Sequence, residues 1–113
     1  MSNSITLETI TEAVSKVEHP EIAATLMELG MLRDFSYDPE ENAFAFTLVV
    51  PFFGIPQTIR DYLINSVAQA AHKLGVKKFR VTIDQMTEEE RARFVEIEHK
   101  KWRAGGEPGT PQM

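Results

Sequence analysis

The sequence of 113 residues contains no cysteine, which excludes disulfide bonds, thiolate metal sites and a cysteine nucleophile. It also lacks any apolar run approaching the roughly 20 residues that cross a bilayer; the longest run lies at residues 43–50. The first residues, Met-Ser-Asn-Ser, do not have the basic and then apolar pattern of a secretory signal. We therefore expect a cytoplasmic protein that does not associate with membranes.

Basic residues are in the minority, 12 against 17 acidic residues, and the formal net charge is -5. A field of this sign repels the phosphates of nucleic acids, so we expect no nucleic acid partner. The hydrophobic share of 42% is ordinary for one globular domain. We expect a single domain over residues 1–103 and a flexible C-terminal tail over residues 104–113. The tail is rich in glycine and proline and has no periodic pattern of apolar residues.

Apolar residues that recur at steps of three and four predict the helices. This spacing covers residues 5–17 and 59–74, and residues 22–29 carry a shorter helical turn that ends at Gly30. A last helix is predicted to open at Thr87, because a threonine followed three residues later by glutamate is the pattern of a capping box.

Alternating apolar and polar residues predict strands at residues 31–37, 43–50 and 78–83. The turn sequence Asp-Pro-Glu-Glu-Asn at residues 38–42 predicts that the first two strands form an antiparallel hairpin. The second and third strands are joined through the long helix, which is a crossover connection. The predicted fold class is a two-layer α+β domain of order α-β-β-α-β-α, with helices packed on one face of a small three-stranded sheet.

Several segments resemble a known family when taken in order. The sequence Val-Glu-His-Pro-Glu at residues 17–21 matches a signature that usually reads Val-x-Asp-Pro-Glu, and the other matches are residues 28–32, the loop before Pro56, residues 74–81 and residues 86–91. In these segments the chain resembles the small iron-sulfur cluster assembly domain. That domain occurs alone in metal-sulfur cluster biosynthesis proteins and in SufT-like and PaaD-like proteins, and at the N-terminus of Mrp/ApbC-type ATPases.

The chain departs from this family at two positions. His19 stands where the signature has aspartate, and Ile55 stands before Pro56 where many members have the cysteine of a Cys-Pro pair. The ATPase portion is absent too, because no Gly-Lys-Ser/Thr phosphate loop occurs. Without the cysteine, the resemblance implies a role that does not include direct ligation of a cluster.

Two segments are the candidate binding sites. The loop of Phe52, Phe53, Gly54, Ile55 and Pro56 exposes two adjacent phenylalanines before a helix, as a partner-docking or cluster-proximal loop would. Its alternative reading is that the phenylalanines cap the end of the core and that Gly54 serves backbone geometry.

The second candidate segment is the family signature His19, Pro20 and Glu21, which brings an imidazole and a carboxylate close together. The competing interpretation is that these residues only begin the next helical turn. His72 and His99 have no ligand-type residue at the i+3 or i+4 spacing of a metal site. No metal site, bound cofactor or catalytic residue is predicted, because no nucleophile is paired with a base at a recognisable spacing.

The function implied by the resemblance is that of a non-enzymatic accessory or adaptor in iron-sulfur cluster assembly or transfer. The expected partner is an iron-sulfur carrier, an Mrp-type ATPase among them, or an apo-protein client. The alternative is a small-molecule or divalent-metal binding domain, catalytic or not, that was repurposed from the same family. A homodimer is a further expectation, because a three-stranded sheet has two open edges.

Overall fold

A computed structural model describes residues 5–102, and these residues form six regular elements. They are α1 (Leu7–Val14), β1 (Leu32–Asp38), β2 (Ala43–Val50), α2 (Gln57–His72), β3 (Lys78–Gln85) and α3 (Glu88–Lys101). The predicted α+β class and the order α-β-β-α-β-α are confirmed. The predicted tail, residues 104–113, lies outside the described residues. Within residues 5–102, no helix has the length and apolar character needed to span a membrane.

The sheet has the strand order β1-β2-β3. β1 and β2 pair antiparallel and β2 and β3 pair parallel, so the hairpin and the crossover connection are both present. Asn42 has a φ of 54° at the end of the predicted turn, a conformation that asparagine tolerates better than most residues. The β1 ladder is interrupted between Arg33 and Ser36, where Asp34 has a φ of 57°.

The central strand β2 is buried on both of its faces. Phe44, Phe46 and Leu48 belong to one face and are at most 1% exposed. On the other face Thr47 and Val49 are buried as well, although the sequence pattern predicted helices on one face only. Arg33 of β1 lies beside Thr47 of β2 and forms an ion pair with Asp84 of β3. Its side chain therefore crosses this second face of the sheet.

Residues 22–29 differ from the prediction, because residues 22–25 form isolated bridges and bends and residues 26–29 a turn, with no helix. The backbone here is held by contacts with distant segments: Glu18 bridges to Thr25, and Ile22 bridges to Trp102. Such pairing takes backbone groups that a helix would need for its own hydrogen bonds. Gly30 ends the segment with a φ of 73°.

Threonines cap the first and the last helix, and the capping box predicted at Thr87 is confirmed. The Thr6 side chain accepts a hydrogen bond from the N–H of Thr9 at the start of α1. At the start of α3 the Thr87 hydroxyl accepts from the N–H of Glu90 (3.2 Å), and the Glu90 carboxylate accepts from the N–H of Thr87 (2.9 Å). This reciprocal capping box fixes where α3 begins after β3.

Candidate functional site

A cavity of about 580 Å³ lies between the start of α2, one face of α3 and the segment around His19. Six of the predicted site residues line it: His19, Glu21, Phe52, Gly54, Ile55 and Pro56. Pro20 and Phe53 do not. The remaining lining residues are Met31, Pro51, Thr58, Ile59, Leu63, Arg91, Phe94, Val95, Glu98 and Trp102. The structure therefore brings the signature and the loop, which are separated by about 30 residues in the sequence, to one place.

The signature segment is held by the ring and the backbone of His19. His19 is 5% exposed, and its Nδ1 accepts a hydrogen bond from the backbone N–H of Glu21 at 3.0 Å. The backbone N–H of His19 donates to the carbonyl oxygen of Ala24 at 3.0 Å. An Nδ1 that accepts leaves the proton of a neutral imidazole on Nε2. The proposed helical start at Pro20 is wrong, because this segment is a bend closed by the His19 ring.

The loop of residues 51–56 leaves the end of β2 at the mouth of the cavity. The Arg91 guanidinium donates a hydrogen bond from Nε to the carbonyl oxygen of Pro51, at 2.8 Å. Phe52 and Phe53 are 53% and 58% exposed. The alternative that both rings cap the core is therefore wrong, and the loop presents two aromatic rings to solvent.

Gly54 is not required by the backbone. Its φ lies outside the left-handed region, and a Cβ at this position would meet only the ring of Phe52, at 3.8 Å, which is an ordinary contact. The interpretation that Gly54 serves backbone geometry is thus not supported. Pro56, the N-cap of α2, makes no side-chain capping hydrogen bond.

α3 contacts both candidate segments, the loop near its start and the signature segment at its end. Near its start Arg91 holds the carbonyl of Pro51. At its end the carbonyl oxygen of Lys101 accepts from the N–H of Ala23 at 2.8 Å, and Trp102 bridges to the backbone of Ile22. The helix therefore closes one side of the cavity from the loop to the signature.

α3 was not among the predicted site segments. Arg91, Val95, Glu98 and Trp102 follow one another at steps of four, three and four residues, which places them along one helix face. This periodicity is readable from the sequence, but it looks the same for a helix face that packs on any other part of the protein. The partner of the face became visible only in three dimensions.

The side chain of Trp102 carries a buried polar atom without a partner. Its indole Nε1 is the one buried side-chain nitrogen or oxygen that lacks a hydrogen bond among the described residues. A buried N–H group that has lost water and gained no acceptor costs about 1–3 kcal/mol. Trp102 lines the cavity, but its Nε1 atom is itself buried, so a bound molecule could supply an acceptor only if the indole shifted toward the cavity.

The cavity lining contains one histidine and two glutamates, His19, Glu21 and Glu98, and they do not form a group that could hold a metal ion. Over residues 5–102, no three His, Asp or Glu side chains come together in an arrangement that could hold a metal ion. The whole sequence lacks cysteine. The polar groups at the cavity are thus suited to hydrogen bonding and charge interactions, with carboxylates from Glu21 and Glu98 and a guanidinium from Arg91.

Comparison with solved structures finds a likeness in fold. The fold is similar to that of the crystal structure of a domain of unknown function, DUF59, from Bacillus anthracis, with a TM-score of 0.55 and 18% sequence identity. The alignment covers 74% of this chain and 80% of the Bacillus domain. No protein-family model and no curated protein sequence matches the chain. At this identity the likeness establishes the fold, which is that of a DUF59 domain.

Proposed function

We propose that this protein is an accessory or adaptor in iron-sulfur cluster assembly or transfer, which docks a cluster carrier or an apo-protein client. The observation that carries the proposal is the meeting of the signature residues His19 and Glu21 with the loop of residues 51–56 at one cavity. DUF59 domains belong to the metal-sulfur cluster biosynthesis family, so the fold agrees with the resemblance of these segments.

In this proposal the cluster is cargo that stays on the partner. Thiolates are the usual ligands of iron-sulfur clusters, and this sequence has none. Anaerobic reconstitution of the purified protein with iron and sulfide should therefore leave it colourless. A stable chromophore with stoichiometric iron and sulfide would contradict the adaptor role as stated.

An apolar rim, defined as Phe52, Phe53 and Val95, is the surface that we assign to docking. Val95 is 39% exposed, and Phe52 and Val95 line the cavity, while Phe53 adjoins two lining residues in the loop. Exposed aromatic side chains beside a concave surface are typical anchors of protein interfaces. Because the Phe53 ring is mostly in solvent, its replacement by a charged residue should leave the fold intact.

The test compares Phe53→Asp with Leu7→Asp, a change at another exposed apolar side chain that does not line the cavity. Binding of a purified Mrp-type carrier ATPase, with and without its cluster, is measured by calorimetry beside a thermal melt of each variant. Phe53→Asp should weaken binding by about 2 kcal/mol or more, as expected for an aromatic anchor, and Leu7→Asp should not. Unchanged binding and an unchanged melt in Phe53→Asp would remove this rim as the docking surface.

The unpaired indole N–H of Trp102 favours a second candidate, a domain that binds a small molecule in the cavity. The ligand would carry an apolar body, because apolar residues such as Phe94 line the cavity, and a hydrogen-bond acceptor for the indole N–H. Trp102 is the single tryptophan of the sequence, so its fluorescence reports on the cavity alone. Quenching or a spectral shift by a small carboxylate, without any carrier protein, would favour this candidate over the adaptor.

A further inference from the structure

β3 is an edge strand whose outer side has no strand partner among residues 5–102. The N–H groups of Lys78 and Met86 donate to carbonyl oxygens on the β2 side of the sheet, at 3.1 and 2.8 Å. Backbone groups of successive strand residues point to alternate sides, so the even-numbered residues face β2. Phe79, Val81 and Ile83 therefore direct their N–H and C=O groups outward, where they can pair with another strand.

The two edges of the sheet differ in how well they can accept a strand. β1 is bulged between Arg33 and Ser36, with Asp34 in a left-handed conformation. A bulge disrupts the regular backbone pattern and so disfavours pairing with a further strand. β3 pairs with β2 over all eight of its residues without a register shift. The regular edge is thus β3.

We propose that β3 pairs antiparallel with β3 of a second copy of this chain, around a two-fold axis that passes at Thr82. This register sets Val81 opposite Ile83 of the second copy and Phe79 opposite Gln85. Val81 and Ile83 then meet as outward-facing residues, which is the arrangement that exchanges hydrogen bonds in an antiparallel pair. The N–H of Gln85 donates to Oδ1 of Asp84 at 2.8 Å within one chain, and it would exchange this acceptor for Phe79 of the second copy. The two three-stranded sheets become one continuous sheet.

Charge complementarity supports the same register. Arg80 comes to lie opposite Asp84 of the second copy, and the two-fold axis repeats this pair. Their side chains are 59% and 48% exposed and belong to the same face of β3, since they are four residues apart. Opposite charges on directly facing residues stabilise antiparallel strands.

The other face of β3 also gains from this pairing. Phe79, Val81 and Ile83 pack against the core but remain partly exposed. In the proposed dimer, Val81 and Ile83 of each copy lie beside Ile83 and Val81 of the other and extend the apolar layer. The dimer does not use the cavity or the apolar rim, so it stands independently of the proposed function.

The decisive experiment uses two charge reversals, Arg80→Asp and Asp84→Arg, in sedimentation velocity at several concentrations. Each variant alone sets like charges opposite each other, and its dimer should be weaker by about tenfold or more than that of the unmodified protein. An equimolar mixture of the two should dimerise again, because the two aspartates of one variant's strand then face the two arginines of the other's. The contacts of Arg80 with Glu41 and of Asp84 with Arg33 within one chain are not restored in the mixture.

Restored dimerisation in the mixture therefore supports this interface. An unmodified protein that stays monomeric at every concentration, a dimer that both variants leave unchanged, or a mixture that fails to recover would each overturn the proposal. Hydrogen exchange on the unmodified protein gives a readout that needs no substitution. The N–H groups of Val81 and Ile83 should become more protected as concentration rises, while the inward-facing N–H groups of Arg80 and Thr82 serve as controls.

Discussion

Nδ1 of His19 accepts a hydrogen bond from the backbone N–H of Glu21 at 3.0 Å. The signature that this segment resembles has aspartate at the histidine position, and an aspartate oxygen forms the same bond to the N–H two residues later in an Asx turn. In this chain the imidazole is the acceptor of the hydrogen bond that closes the bend. Histidine at this position is therefore compatible with the bend, and it places an imidazole in the cavity lining where the signature has a carboxylate.

This relationship predicts different outcomes for two substitutions of similar size. His19→Asn retains a side-chain oxygen that can accept from the N–H of Glu21, and His19→Leu leaves that N–H without a partner in a partly buried position. We expect His19→Leu to be less stable than His19→Asn by about 1 kcal/mol or more, since an unmet buried donor carries a cost of this order. Urea denaturation measures the difference; equal midpoints would show that the hydrogen bond is not what holds the bend.

The parts of the fold that follow from local chemistry could be predicted from the sequence. Asn42 has the positive φ that its turn sequence favours, and Thr87 and Glu90 form the capping box that their spacing indicates. These features depend on residues within four positions of one another. Phe44 and Phe46 likewise alternate with smaller residues and lie in the core.

The parts that could not be predicted depend on contacts between distant segments. Ile22 pairs with Trp102, which is 80 positions away, and this pairing accompanies the turns that replace the predicted helical turn at residues 22–29. Arg91 contacts the carbonyl of Pro51 across 40 positions. Periodicity describes which face of a helix is apolar, but it does not say which loop that face will meet.

The glycines offer a second prediction. Gly54→Ala should be neutral or raise stability by about 0.4–1 kcal/mol, because its backbone is compatible with alanine and the unfolded chain loses freedom. Gly75→Ala is the contrasting variant: its φ is 109°, and a Cβ would lie 3.1 Å from Cδ1 of Ile5. It should lose about 1 kcal/mol or more. Thermal melts of both variants check the pair, and a destabilised Gly54→Ala would mean that the loop has no room for a Cβ at this position.

The third prediction concerns the bond between Arg91 and the loop. Arg91→Met removes the Nε donor and frees the carbonyl of Pro51, so amide exchange over residues 52–55 should become faster and stability should fall by about 1 kcal/mol. Arg93→Met is the matched control on the same helix, because Arg93 is exposed and does not line the cavity. Loop exchange that is equally fast in both variants would argue against Arg91 as the anchor.

The last prediction is a pH dependence at Glu28. The pKa of this carboxylate is lowered by the hydrogen bond from the backbone N–H of Thr25, by the Thr25 side chain and by the charge of Lys101, in decreasing order of effect. The N–H of Thr25 lies 2.9 Å from Oε1 of Glu28, and the Lys101 ammonium lies 3.8 Å from Oε2.

A carboxylate whose pKa is lower in the folded state stabilises the fold above the unfolded pKa, and this contribution disappears as the pH falls through the folded pKa. The unmodified protein should therefore be more stable than Glu28→Gln at neutral pH, and the two should converge under acidic conditions below the ordinary range of glutamate. Urea midpoints measured from neutral to acidic pH test this convergence. Lys101→Met removes only the weakest of the three causes and should show a smaller difference with the same sign. A gap between the unmodified protein and Glu28→Gln that stays constant with pH would mean that the charge of Glu28 does not contribute, and that glutamine loses stability through packing or hydrogen-bond geometry instead.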